Sequence, residues 1–364
     1  MLYLISLLSF LLPTQLGLHV NSLQTMVYGF RIDYLIPTLY LTDLIALLII
    51  LLGFRKIKFT KKNLVFSILY IGFVVANILH TTYYIPAIYK WLKVTETILL
   101  ATVLIKNKKI DFFKNILKPL SYSMFIVCLL GISQYLNKGS VGGIFYWLGE
   151  RTLRFNDPNV SPFPYSTFSH PNSFAGFLLV FGIFLIQFKN KFKLKYFLTL
   201  AILVFINLIL TNSLNVYIAI VLLVILNFRS NLAFSFLAFD FSSRTFSHRL
   251  ELISASWKMI KDNFLFGVGL NNFIPNLPKV TNSFLNAWEL QPVHNIFLLV
   301  FSETGVIGFI VFSLLVLFSL SPISYPLIAI LATGQMDHYW LTLQQNMLLF
   351  TYALALNFKW KKKI

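Results

Sequence analysis

The sequence predicts an all-α polytopic membrane protein, and three observations carry that reading. Of 364 residues, 57% are hydrophobic and only 12% are charged; mean hydropathy is +0.76; and apolar runs recur along the chain with basic connectors between them. Such a composition lies outside the soluble globular range. Lipid offers no partner to an exposed backbone group, so spanning segments are helices or closed barrels. The runs here are continuous where barrel strands alternate, which selects helices.

Apolar runs fall at about 2–18, 34–53, 64–80, 86–105, 116–136, 171–188, 196–211 and 214–228, then at 294–318, 321–333 and 339–358. The first, "MLYLISLLSFLLPTQLG", has no basic residue ahead of it, the first Lys or Arg being Arg31, so it reads as a span and not as a cleaved leader. "RKIKFTKK" (55–62), "KNKKIDFFKNILK" (106–118) and "KNKFKLK" (189–195) follow the second, fourth and sixth runs and belong on the cytoplasmic side. The tail "KWKKK" belongs there too, which puts both termini inside. Counts from the two ends disagree by one crossing. Only "NLAFSFLAFDF" (231–241) can supply it, as a short, thinned or re-entrant segment, giving roughly twelve spanning helices. The whole chain, 1–364, is then one transmembrane domain with outward loops at about 137–169 and 242–293.

Lys and Arg number 30 against 12 Asp and Glu, a net charge of +18. In a soluble chain this would point to nucleic acid; here the cations cluster between apolar runs, so topology accounts for much of them and no nucleic-acid partner is expected. Cys128 is the single cysteine, so no intrachain disulfide forms.

Chemistry-bearing residues gather in the outward loops. Arg151 and Arg154 precede a turn-rich stretch that ends in His170, Pro171 and Asn172 at the mouth of a span, where Pro suits the first helical turn. Taken alone, a cap with interfacial arginines explains this segment equally well. Further on, "SHRLELISASWKMIKDNF" places Leu250, Ile253, Trp257, Ile260 and Phe264 on one helical face, with Glu251, Lys258, Lys261 and Asp262 across from it. That is an amphipathic helix lying along the membrane domain. Arg249 falls near Ile253 and Ile260, so its guanidinium should turn inward and meet an anion; the bland alternative is snorkelling to lipid phosphate. Gly267 and Gly269 then allow a tight turn or a close approach.

"HNIFLLVFSETGVIGF" opens with His294 and Asn295 and carries Glu303, Gly305 and Gly308 deeper in the span. Nine residues between His294 and Glu303 amount to about 180° and roughly 13 Å, so they are no same-face acid–base pair. Glu303 reads as structural, an intramembrane carboxylate paired beside glycines that admit close packing. His294, at a wet mouth, can accept a proton from a hydroxyl. No ligand spacing points to a metal, and there is no nucleotide loop or nucleophile elbow; an anionic ligand would have to be held by arginines.

In order and spacing, the arginine ahead of "HPNSFAGFL", then "SHRLELISASWKMIKDNFLFGVGLNNF", then "HNIFLLVFSETGVIGF", and the tail "DHYWLTLQQNMLLF" (337–350), resemble the O-antigen ligase/polymerase family of bacterial membrane glycosyltransferases. The likeness is clearest over about 150–350; the N-terminal third matches mainly in hydropathy. The resemblance implies a GT-C-like fold in the cytoplasmic (inner) membrane. It implies transfer of a glycan from a polyprenyl pyrophosphate donor to a hydroxyl-bearing glycan, lipid or protein acceptor on the outer face, with no metal or other cofactor. It makes His294 the catalytic base and Arg249 the pyrophosphate ligand, with Arg151 or Arg154 as the arginine ahead of the H-P-N segment, where His170, Asn172 and Asn295 would complete a substrate-binding set. Many relatives carry Ser-Arg-Gly between the seventh and eighth spans, where this chain has Leu214 and Asn215 after Ser213, so a phosphate-binding cation is absent there. Ligase and polymerase share the constellation and differ in acceptor, with ligase slightly favoured by the compact loops. A transporter of lipid-linked glycan is the reading from another class, and it would more often place cations within several spans.

Overall fold

A computed structural model describes residues 1–55, 57, 60–153, 163–228, 244–281, 289–320 and 324–361. The chain runs α1 (Leu2–Leu11), two small antiparallel strand pairs, α2 (Leu41–Phe54), α3 (Lys61–Leu79), α4 (Tyr84–Lys106), a π-helical turn Phe113–Leu117 leading into α5 (Lys118–Asn137), and the short α6 (Ile144–Trp147). It continues with α7 (Pro171–Gln187), α8 (Leu194–Leu210), α9 (Leu214–Phe228), α10 (Arg244–Asp262), α11 (Phe273–Val280), α12 (Ile296–Ser319), α13 (Tyr325–Gly334), α14 (Tyr339–Thr342) and α15 (Gln344–Lys361). The strands β1 (Gly17–His19) and β4 (Thr38–Tyr40) pair, as do β2 (Met26–Val27) and β3 (Phe30–Arg31).

The all-helical expectation of roughly twelve spans is corrected by these lengths. Among the described residues three helices are long and apolar enough to cross a membrane: Lys61–Leu79, Phe113–Asn137 and Ile296–Ser319. The other apolar helices are of 10–17 residues, and at 1.5 Å per residue even the longest is about 25 Å, short of a hydrocarbon core of about 30 Å. Hydropathy alone counted apolar residues without asking whether their backbone was helical. The run from residue 2 stops being helix at Leu11, ahead of Pro13. The run from 34 spends its first residues in a 3-10 turn and β4. The run from 339 breaks between α14 and α15. The proposed crossing at 231–241 lies outside the described residues.

Packing divides into two cores. The larger joins α1, α2, α5, α7, α13 and α15 around side chains such as Phe174, Phe177, Phe181 and Trp340. The smaller lies between α10, α11, the start of α12 and the 27–35 segment, built on Leu252, Met259, Phe273, Leu277 and Val293. In α3, by contrast, Asn77 is the one side chain buried, and Val65, Phe66, Ile68 and Leu69 face outward, as a lipid-facing helix requires.

The amphipathic helix α10 has two apolar faces. Leu252, Ala255, Met259 and Ile260 pack inward against α11 and α12, while Leu250 and Trp257, and Phe264 in the turn just beyond the helix, are exposed. An exposed Trp, Leu and Phe beside a polar face suit a helix seated at a bilayer surface.

Candidate functional site

Helix ends bring the site residues together. A buried amide, Gln134, accepts at Oε1 from the backbone N–H groups of Tyr165 and Ser166, and Gln345 Nε2 donates to the Thr167 carbonyl at 3.0 Å. These bonds fix the segment that delivers His170, which caps α7: its Nδ1 accepts the Asn172 N–H at 3.1 Å. A neutral His170 therefore carries its proton on Nε2 and presents a donor there. Asn172 Nδ2 in turn donates to Asp337 Oδ2 at 3.3 Å.

His294 sits one residue before the cap of α12. Asn295 Oδ1 accepts from the N–H groups of Phe297 and Leu298, at 2.9 and 3.0 Å, which starts the helix. Its Nδ2 donates to Gln335 at both the backbone carbonyl and Oε1. The Asn295 amide is thus committed to holding the α12 mouth against the α13–α14 link, the segment that carries Asp337 and His338. The rings of His294 and His338 meet edge to face with centroids 5.2 Å apart, and Tyr34 packs edge-on to His338 at 5.4 Å.

The tautomer of His338 is tied to the Thr342 hydroxyl. Thr342 Oγ1 lies 3.1 Å from the His338 carbonyl and 2.9 Å from His338 Nδ1. With the hydroxyl proton on that carbonyl, Nδ1 is the donor and the Nε2 lone pair is left free; with it on Nδ1, the ring takes the other tautomer.

Burial dominates the electrostatics. It pushes the His294 imidazole down to about 3 and His338 to about 4, with Arg249 adding to both shifts and Asp337 opposing them. Burial acts upward on Asp337, but the surrounding histidines and Arg249 outweigh it and hold the carboxyl below its ordinary range. Burial thus favours the uncharged form of His294 and His338 beside the Asp337 carboxylate. Among the described residues, two buried polar atoms there have no hydrogen-bond partner, Arg249 Nε and His294 Nδ1.

Arg151 donates from Nη1 to the Ser169 carbonyl at 3.2 Å, beside His170, and lines a cavity of about 550 Å³ with Lys138, Tyr146 and Glu150. Arg154 lies outside the described residues. Ser213, in the link between α8 and α9, reaches the Asn172 Oδ1 at 3.0 Å and the Asn215 Oδ1. That segment therefore joins the site through Asn172.

Glu303 stands apart from this cluster. Its Oε1 accepts the Phe273 N–H at 3.2 Å, and its backbone carbonyl accepts from Asn77 Nδ2 and from the Gly269 N–H. Gly305 breaks α12 at φ 65°, and a Cβ there would run into the Leu265 carbonyl; at Gly267, φ 70°, a Cβ would strike the Glu303 backbone. The 264–269 turn thus lies directly against the helix break. Gly269 approaches Thr81 as closely, and Gly308 stacks on Thr304.

Three contributors went unread in the sequence. Asp337 and His338 open the tail at 337–350, where an adjacent Asp-His pair between two apolar runs is the signal. Tyr34, within an N-terminal segment read as part of a span, had none.

The protein is mostly helical, and among the described residues three helices are long and apolar enough to cross a membrane. A sequence model of the O-antigen ligase family matches residues 167–313, so that segment is similar to O-antigen ligase, and with the long apolar helices the match supports a general glycan-handling, membrane-associated function. His170, Asn172, Arg249 and His294 fall within the match; Arg151, Asp337 and His338 lie beyond it. No curated protein matches the chain, and no solved structure does.

Proposed function

We propose that the protein transfers a glycan from a polyprenyl pyrophosphate carrier to an acceptor hydroxyl at the outer face of the bacterial cytoplasmic membrane, as an O-antigen ligase does. The observation that carries this reading is the unpartnered Arg249 Nε, buried in the same field as His294 and Asp337. A buried guanidinium donor without an acceptor is costly, and a phosphate oxygen supplies the missing partner.

Arg249, with Arg151 or Arg154, neutralises the leaving pyrophosphate, and the His170 Nε2–H offers a further donor. The acceptor oxygen attacks the sugar C1 in line; the new O–C1 bond forms as the C1–phosphate oxygen bond breaks, and the configuration inverts. His294, uncharged before the reaction, takes the hydroxyl proton. Asp337 steadies the resulting imidazolium. The acceptor is a hydroxyl-bearing glycan, lipid or protein.

Labelled donor supplied to reconstituted protein with candidate acceptors tests the proposal. Label that moves onto an acceptor supports transfer; label that crosses the bilayer still on its carrier identifies a transporter and ends this reading.

A further inference from the structure

We propose that His294, Asp337 and His338 form a binding site for a divalent transition metal of the zinc class, and that its occupation silences the site by taking the His294 lone pair. The metal site stands on geometry alone; only the silencing rests on the transfer reading above.

One ligand atom from each of the three residues lies within 4.8 Å of the others. Two imidazoles and a carboxylate are the donor set that zinc favours with a fourth position left to water. Asp337 and His338 are almost wholly buried, at 7% and 4% exposure. A second observation points the same way: among the described residues, His294 Nδ1 is buried with no hydrogen-bond partner.

The outer bonds of the ligands are also those of a metal site. With the Thr342 proton on the His338 carbonyl, Nδ1 carries the ring proton and Nε2 is left to bind. Asp337 is braced by Asn172 Nδ2 and by the His338 backbone N–H at 2.8 Å. His170 is excluded as a ligand because its Nδ1 is engaged as an acceptor and its Nε2 bears the proton. Binding displaces no proton from uncharged imidazoles and consumes no other reactant. Arg249 opposes it, since its charge bears on all three ligands. The ion therefore competes with the arginine and with any anion that the arginine recruits.

Zinc chloride alone is titrated into tag-free, full-length protein in detergent against a chromophoric chelator, with cobalt as the spectroscopic substitute. The expected result is one zinc per chain and a cobalt visible spectrum of tetrahedral or five-coordinate type. His338→Ala and Asp337→Ala each weaken binding by on the order of a hundredfold, Thr342→Val by about tenfold, and Arg249→Ala strengthens it. Gel-filtration profiles show which variants remain folded, and Thr342→Val keeps the test open if a ligand variant does not. No binding beyond that of His294→Ala, or equal binding in every folded variant, overturns the site. Where transfer is measurable, zinc should inhibit it at the concentration that fills the site and a chelator should restore it. Inhibition unaltered by His338→Ala overturns the silencing, whereas absent transfer with zinc bound leaves the site standing and removes only the function.

Discussion

The imidazoles of His294 and His338 lie edge to face with centroids 5.2 Å apart, although one precedes α12 and the other precedes α14. Their meeting depends on Asn295, whose amide starts α12 with one end and grips Gln335 with the other. One side chain therefore sets both the helix mouth and the approach of the second histidine.

Removal of His294 should end transfer without unfolding the chain. His294→Ala is expected to lower glycan transfer by on the order of 10²–10⁴-fold, the usual worth of a general base. Product formed by membranes that contain equal amounts of each protein measures it, and wild-type output in the variant would remove His294 from the chemistry.

Arg249→Lys keeps the charge and loses the fork. The loss of one charge-assisted hydrogen bond, about 1.5–3 kcal/mol, corresponds to roughly a tenfold to hundredfold fall in transfer. Steady-state rates on labelled donor decide it; an unchanged rate means that the guanidinium does not touch phosphate.

Glu303 is expected to matter for stability and little for transfer. Glu303→Ala leaves the buried Phe273 N–H without its acceptor, at a cost of about 1–3 kcal/mol, which appears as a lower Tm in detergent. Folded Glu303→Gln should retain transfer, since the amide oxygen still accepts; an inactive, stable Glu303→Gln would assign the carboxylate to catalysis.

Gly305→Ala should destabilise by about 1–3 kcal/mol, from positive φ in a residue with a Cβ, and more from the clash with the Leu265 carbonyl. Thermal unfolding monitored by circular dichroism reads the change. A Tm equal to that of wild type would show that the helix break is unnecessary.

Asp43 and Lys93 form a buried ion pair between α2 and α4, and the carboxylate also accepts from Gln344 on α15. Breaking such a pair from one side costs about 3–5 kcal/mol, so Asp43→Leu should lower Tm steeply, and the double variant Asp43→Leu/Lys93→Met should recover part of the loss. If the double variant is no better than the single, the pair is not the source of the cost.

Much of the site was legible because its residues sit at helix mouths with neighbours that announce a cap: His170 before Pro171, and His294 before Asn295. Arg249 could be placed from helical periodicity alone. Asp337 and His338 could not, because nothing in the sequence says that the α13–α14 link folds back onto the start of α12. The charges Lys90, Lys93 and Glu96 were absorbed into an apolar run, although three ionisable residues at helical spacing were a sign of buried pairing. Span number was the larger miss. A hydropathy run records how apolar a segment is, whereas a crossing also needs enough helix, and β4 and the α14–α15 break are events of backbone geometry.

The most direct measurement is the molar ratio of polyprenyl pyrophosphate released to glycan gained by the acceptor in proteoliposomes, for wild type and for His294→Ala. The account predicts one carrier freed for each acceptor extended by the wild type, and neither product from the variant. Carrier released with no extended acceptor, or equal yields from both proteins, would contradict it.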